Sequence, residues 1–463
     1  MASKVPFHDD FCGEPAQDAL KGDKLCFMLL RFRVSNFRSI KDEQELSMVA
    51  SSFSASHKSL IHLEDQGLDV LRAVAIYGAN ASGKSNVLDA LQFMSAAVQG
   101  SHRLWKPEGP IPREPFLLDS RSREAPSSFE ADFLVDDVRH RYGFKLDSQR
   151  ILKEWLYAYP NRRMRVLFRR YWQAGQQFEF GKSLRGNNRT IASLARENSL
   201  FLSVAAENNH EVLSPIRSWF ATRLVFNVYM WPLFNLQPEH KIPILHLLRL
   251  ADLGISDIEQ KEITRDQVDV IGKFIKVIKD TADITNADVK TLDTIDFSGV
   301  RFLELKHQSH AEQSGVTLPL ERESQGTRVW LSLAGILLRV LEAGAVLCVD
   351  ELDRSLHPRL ALEVVRVFED PLRNPKNAQL IFNTHDTTLL GNLLGDSGLR
   401  RDQVWFVEKD AAGATHLYPL TDFKPRRDEN LERGYLQGRY GAIPFITSTP
   451  FAEAGDDQAN PGE

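Results

Sequence analysis

An α/β fold interrupted by a long insertion is what the sequence predicts, and three observations predict it. The apolar run Ala73-Val74-Ala75-Ile76-Tyr77 leads into Gly78-Ala79-Asn80-Ala81-Ser82-Gly83-Lys84-Ser85, and helical periodicity in Val87, Leu88, Leu91 and Met94 follows. Much later, an amphipathic helix over Gly326 to Ala343 gives way to an apolar strand, Val346 to Val349, that ends in Asp350-Glu351. A third apolar strand, Gln379 to Asn383, ends in Thr384-His385. Strands and helices in this order build the class, and the chain between the first two strands carries the insertion.

Taken in order, residues 1–27 are polar and read as a disordered leader, with Met28 a candidate true start. A strand at Arg31 to Ser35, a turn at Asn36-Phe37-Arg38-Ser39 and a second strand toward Met48 make an N-terminal ribbon. After the glycine-rich turn and its helix, Ser128 to Val135, Arg139 to Leu146 and Ile151 to Tyr159 alternate as a meander would. Arg162 to Phe180, broken at Ala174-Gly175, reads as a hairpin, and Ser193 through Val277 is mostly helical in pattern. Strand character returns at Arg301, and Pro358 to Phe368 is a helix. Val404 to Glu408 and Thr415 to Leu420 pair as a β-hairpin. The expected division is an N-terminal lobe at 28–158, a basic hairpin and helical insertion at 159–300, a C-terminal lobe at 301–425, and a docking segment with a disordered tail at 426–463.

The first motif is a complete G-x-x-x-x-G-K-S, the Walker A pattern of P-loop NTPases. Small residues let backbone N–H groups curl around a β-phosphate, a lysine reaches the β/γ oxygens, and a hydroxyl holds Mg²⁺. Gly78, Ala79, Asn80, Ala81, Ser82, Gly83, Lys84, Ser85 and Asn86 are therefore the expected ATP-binding set, with Ser85 also a metal ligand. Asp350, at the end of an apolar strand, is placed beside the metal shell, and Glu351 is left to polarise the attacking water. His385, at the end of a neighbouring strand, can direct its imidazole at the γ-phosphate.

Glu323-Ser324-Gln325-Gly326-Thr327-Arg328, opening a helix just before the Asp350 strand, resembles the degenerate signature of ABC-type ATPases of the SMC and overcoming-lysogenization groups. The resemblance implies an ABC-like head in which Ser324 and Gly326 complete the ATP site of a second head, so that ATP closes a homodimer or a higher homo-oligomer. A serine hydroxyl and a glycine N–H at a helix N-terminus suit an anion. It also implies that Arg38 and Ser39, in the ribbon turn, contact nucleotide. Within the superfamily, "FRVSNFRSI", "GANASGKSNVLDAL", "EWLYAY", "LLRLADLGI", "ESQGTR", "VDELDRSLHP" and "YLQGRYGAIPFI" resemble bacterial abortive-infection ATPases of the RloA and AbiL type. That resemblance implies a phage-defence switch acting with a separately encoded effector, a nuclease or a toxin.

Composition narrows the alternatives. A net charge of −5 and a pI near 6.3 make the molecule as a whole no general binder of nucleic acid or membrane surface. Cys12, Cys26 and Cys348 lack CxxC spacing, so neither zinc nor a disulfide framework is expected. No apolar run reaches membrane length and no secretory signal opens the chain, which gives a cytoplasmic protein with no membrane partner. Arg162 to Arg189, with Phe168, Tyr171 and Trp172 interleaved, could hold phosphates and stack bases, or could be a solvated hairpin face. Gly434 to Ile446 reads equally as a docking element or an ordered turn. Gln149 is the candidate for the Mg²⁺-sensing glutamine, with a surface turn as the other reading. Glu408 has no downstream acidic pair, so a two-metal nuclease is rejected. The rival functional reading is an SMC-like DNA-repair or DNA-structure-binding ATPase, whose usual mark is a long heptad coiled coil. Prolines at 160, 215, 232, 238 and 243 interrupt the middle block instead. A transporter ATPase is the third option.

Overall fold

The computed structural model describes residues 27–51, 59–226, 236–251, 254–262, 301–308, 315–354, 356–391, 399–426 and 429–444. Residues 1–26 of the leader, the helical pattern over 263–277 and the tail from Phe445 lie outside the described residues. From β1 (Met28–Ser35) and β2 (Gln44–Ser47) the chain passes through β3 (Ile61–Leu63) and β4 (Leu68–Val70) into β5 (Ala73–Gly78) and helix α1 (Lys84–Gly100). A short helix α2 (Ser120–Glu124) precedes β6 (Ser127–Val135), β7 (Val138–Leu146), β8 (Ile151–Tyr159), β9 (Arg165–Trp172) and β10 (Gln176–Phe180). Next come α3 (Asn188–Ser193), α4 (Phe201–Glu207), α5 (Leu213–Thr222), β11 (Leu224–Phe226), α6 (Pro238–Leu250), β12 (Ile255–Glu262), β13 (Arg301–His307) and β14 (Val316–Pro319). The chain closes with α7 (Gln325–Ala343), β15 (Val346–Val349), α8 (Pro358–Glu369), β16 (Gln379–Asn383), β17 (Val404–Lys409), β18 (Thr415–Pro419) and α9 (Leu431–Leu436).

Two large sheets dominate. One is antiparallel and seven-stranded, in the order β10-β9-β8-β7-β6-β1-β2. The other runs β11-β15-β16-β5-β17-β18, parallel except for the last pair. The expected ribbon, meander and both hairpins are present. The boundary expected between residues 158 and 159 falls inside the antiparallel sheet, because β9 pairs directly with β8. Likewise β11, from within the expected insertion, adds a strand to the parallel sheet beside β15.

A parallel sheet must be covered on both faces, and successive residues of its strands sort into two cores. Val74, Ile76, Val346, Cys348, Ile381 and Val407 face α1, α5 and the antiparallel sheet. Ala73, Ala75, Tyr77, Leu347, Val349, Leu380, Phe382 and Phe406 face α6, α7 and α8. Helix α7 starts where the Ser324 hydroxyl accepts from the Thr327 N–H and stops at Gly344, whose φ of 62° only glycine adopts without cost.

Two stretches expected to be helical are strands, β11 and β12, and β12 shows why. Ile255 and Ile258 are both buried and three apart, which mimics a helical period, but a bulge between Ile255 and Asp257 in the pairing with β13 turns both inward.

Candidate functional site

Parallel strands bring their carboxyl ends to one edge, where α/β folds bind ligands. Here β15, β16 and β5 lie side by side, so Asp350, Asn383 and the turn after Tyr77 share that edge. The turn is tight on all sides. A Cβ at Gly78 would stand 2.3 Å from the Val407 carbonyl oxygen, and one at Gly83 would stand 2.2 Å from Thr415 Oγ1. Gly83 has a φ of 107° and Ala81 one of 61°, so the backbone curls before α1 begins. Lys84 is 6% exposed, and its ammonium donates to the carbonyls of Gly78 (2.8 Å) and Ala79 (3.0 Å), folding back over the loop. Burial lowers its pKa, and the charges of Asp350, Glu351 and Asp353 pull it back up.

Ser85 Oγ donates to Asp350 Oδ1 at 2.8 Å, joining residues 265 positions apart. Asn383 links the acids. Its amide nitrogen donates to Asp350 Oδ1, and its oxygen accepts from the Glu351 N–H. Asp353 holds the neighbouring turn, accepting from Thr384 Oγ1 at 2.7 Å and from the His385 N–H at 3.4 Å. The His385 side chain is exposed at this edge. Desolvation and the nearby Lys84 charge lower its pKa, against the opposing pull of Asp353, Glu351 and Asp350. Glycine cradle, lysine, hydroxyl, two acids and histidine therefore converge as the sequence led one to expect. An Mg²⁺ ion fits this donor set, because Ser85 and Asp350 offer hard oxygen atoms. The fully buried, unpartnered Ser82 hydroxyl and the closed glycine cradle fit a phosphate.

The ribbon turn reaches the same loop by another route. Ser39 Oγ accepts from the Asn86 side chain (2.5 Å) and pairs with Thr415 Oγ1 (2.7 Å). Thr415 in turn donates to the Ser82 carbonyl at 2.9 Å. Arg38 is otherwise engaged: its guanidinium pairs with Asp89 on α1 and with Glu114. Asn36 is a structural staple, donating to the carbonyls of Ser122 and Ala125 and accepting from the Phe116 N–H. Ser324, exposed, and Gly326, half-buried, open α7, and the Ser324 hydroxyl bonds within that turn to Thr327. Gln149 sits in an Asx turn on Asp147 and lines a separate cavity with Gln176, Arg196 and Asn198.

The basic block is divided by strand alternation. Phe168 and Arg170 point inward, and Arg170 is fully buried against Glu154. Arg162 donates to the carbonyls of Glu64 and Asp65, and Arg169 pairs with Glu179. The other exposed cations of the block are Arg163, Arg165, Lys182, Arg185 and Arg189. At the far end, Tyr435 and Tyr440 pack on Phe406, and Tyr435 also meets Tyr77, so α9 and the turn after it dock on the P-loop strand of their own chain. Three functional neighbours lay outside the expected site: Asn383, Asp353 and Thr415. For the first two the signal was present, in polar residues within the strand-end segments already singled out.

Among the described residues no helix is long and apolar enough to cross a membrane. No curated protein matches the chain. Among solved structures it is similar to an SMC head domain from Thermotoga maritima, at 14% identity over 84% of this chain and 98% of that one, with a TM-score of 0.34. It is also similar to an Smc head domain with an extended coiled coil, bound to the C-terminal domain of ScpA and derived from Pyrococcus furiosus, at 11% identity over 86% and 98%, with a TM-score of 0.39. A family model described as "AAA domain, putative AbiEii toxin, Type IV TA system" matches residues 73–391, from the first residue of β5 to the turn beyond His385. That span takes in the P-loop, both acids and the histidine, and the chain belongs to this AAA-domain family.

Proposed function

We propose that this chain binds and hydrolyses ATP as a nucleotide-driven switch. The observation that carries the reading is the hydrogen-bonded run from Ser85 through Asp350 and Asn383 to the Glu351 backbone, which ties the P-loop to the acids at one strand edge. Backbone N–H groups of Gly78 to Gly83 would cradle the phosphates, and Lys84 would leave its two carbonyl partners for the β/γ oxygens. Ser85 and Asp350 would hold Mg²⁺, which when bound neutralises phosphate charge. Glu351 would orient and polarise the attacking water, and His385 would face the γ-phosphate. Ser324 and Gly326, at a helix start, would complete the site of a second copy, so that ATP favours a closed homodimer. The cycle would then be read by a separately encoded effector in a cytoplasmic anti-phage response. The exposed cations of the 162–189 block are the surface for any nucleic acid. Support for the defence role comes from the motif resemblance alone.

Two variants test the core of this reading. Lys84→Ala should lose ATP binding, whereas Glu351→Gln should bind ATP normally and hydrolyse it at least about 100-fold more slowly. Wild-type turnover by Glu351→Gln would remove the assignment of the base.

A further inference from the structure

Asn383 ends β16 with its side chain fully buried, and both ends of its amide are used. Chemistry fixes the orientation, because a carboxylate can only accept and a peptide N–H can only donate. The nitrogen therefore serves Asp350 Oδ1 and the oxygen serves the Glu351 N–H. The Asn383 carbonyl also accepts from the Leu352 N–H at 3.1 Å, so one residue grips three consecutive positions after β15. The middle one of these needs gripping. Glu351 has a φ of 55°, a left-handed conformation that a residue with a side chain keeps only when its surroundings over-determine it. The strands themselves do not depend on this contact, since β15 and β16 are already paired from Val346↔Gln379 to Val349↔Phe382.

We infer that Asn383 is a positioning residue for hydrolysis, fixing Asp350 through its side chain and Glu351 through its backbone so that the two carboxylates keep one separation. The inference rests on the reading above, in which Asp350 belongs to the metal shell and Glu351 faces the water. A side chain that orients a base without touching substrate is felt in the rate more than in affinity.

The test uses the full chain with Asn383→Leu, similar in size and unable to make either bond, and Asn383→Ser, whose hydroxyl can serve one partner. Turnover, KM, affinity for a fluorescent non-hydrolysable ATP analogue with and without Mg²⁺, and melting temperature are measured for each. Asn383→Leu should lower kcat about 100-fold while KM and metal-free analogue affinity stay within about threefold, and Asn383→Ser should recover at least about tenfold of the loss. A kcat within about threefold of wild type in Asn383→Leu would overturn the inference, as would parallel losses of kcat, affinity and melting temperature in both variants. If Glu351→Gln is inactive while Asn383→Leu is active, the positioning role alone fails. If Glu351→Gln keeps full turnover, the parent reading fails with it.

Discussion

In the antiparallel sheet, charged side chains close upon one another, whereas in the parallel sheet they gather at one open edge. Glu154 and Arg170 face each other at 3.5 Å inside the first, both fully buried. The carboxylate also accepts from Tyr142 OH and from the N–H groups of Phe201 and Leu202 at the start of α4, and the guanidinium serves the carbonyls of Ser199, Arg196 and Glu197. On the outer face, Arg139 and Arg141 share Asp132. The parallel sheet has an apolar interior on both faces, and Asp350 and Glu351 follow directly on the last residue of β15. Densely bonded buried networks specify structure, while partners left near an opening can exchange a protein contact for a ligand. The contrast teaches that removing a charge from the first sheet should cost stability, and removing one from the second should cost function.

The largest effect should come from Glu154→Leu, which strands the Arg170 guanidinium in the core and should lower unfolding free energy by about 3–5 kcal/mol. Urea denaturation measures it, with Glu351→Gln as the counterpart expected to shift stability by less than about 0.5 kcal/mol. Equal losses in the two variants would break the contrast.

Next comes a pH effect confined to the antiparallel sheet. Burial pushes the His140 imidazole down to about 4 from an ordinary 6.5, with only the Val138 carbonyl opposing. Below pH 6.5 the unfolded chain takes up a proton that the folded chain refuses, so stability is full above that pH. It should fall by about 1.4 kcal/mol per unit between pH 6.5 and 4. Comparing denaturation curves of wild type and His140→Phe at pH 7 and pH 5 isolates it, and parallel curves would rule it out.

A smaller stability loss than either of these belongs to the signature. Ser324→Ala removes the N-cap of α7, a loss of about 1 kcal/mol. Ser324→Arg in the Glu351→Gln background should nevertheless abolish Mg·ATP-dependent pairing in light scattering. Unchanged pairing would place the contact between copies on another surface.

Much of this was legible in the sequence because local chemistry enforced it. The glycine cradle, the apolar strand before Asp350 and the alternating meander each carry a short-range signature that tertiary packing only reinforces. What stayed hidden depended on partners far along the chain. Ile255 and Ile258 imitate a helical period until a bulge opposite β13 explains them. Thr415 meets Ser82 across 333 positions, and no local pattern marks a threonine for that task. The basic block read as a surface because its composition is uniform, whereas β9 sends Arg169 outward and Arg170 inward.

The pairing of β5 with β16 and β17 also sets an order of events during synthesis. Every strand of the antiparallel sheet precedes residue 181, but β5, made early, must wait for residues 379–383 and 404–409 before either neighbour exists. At roughly 5–20 residues per second, that wait lasts on the order of fifteen seconds to a minute. Throughout it the Ala73–Gly78 strand has both edges open, which makes a nascent chain prone to association and a natural client for chaperones. The P-loop is written before residue 86, yet it can take shape only after residues 379–383 and 404–409 have been made.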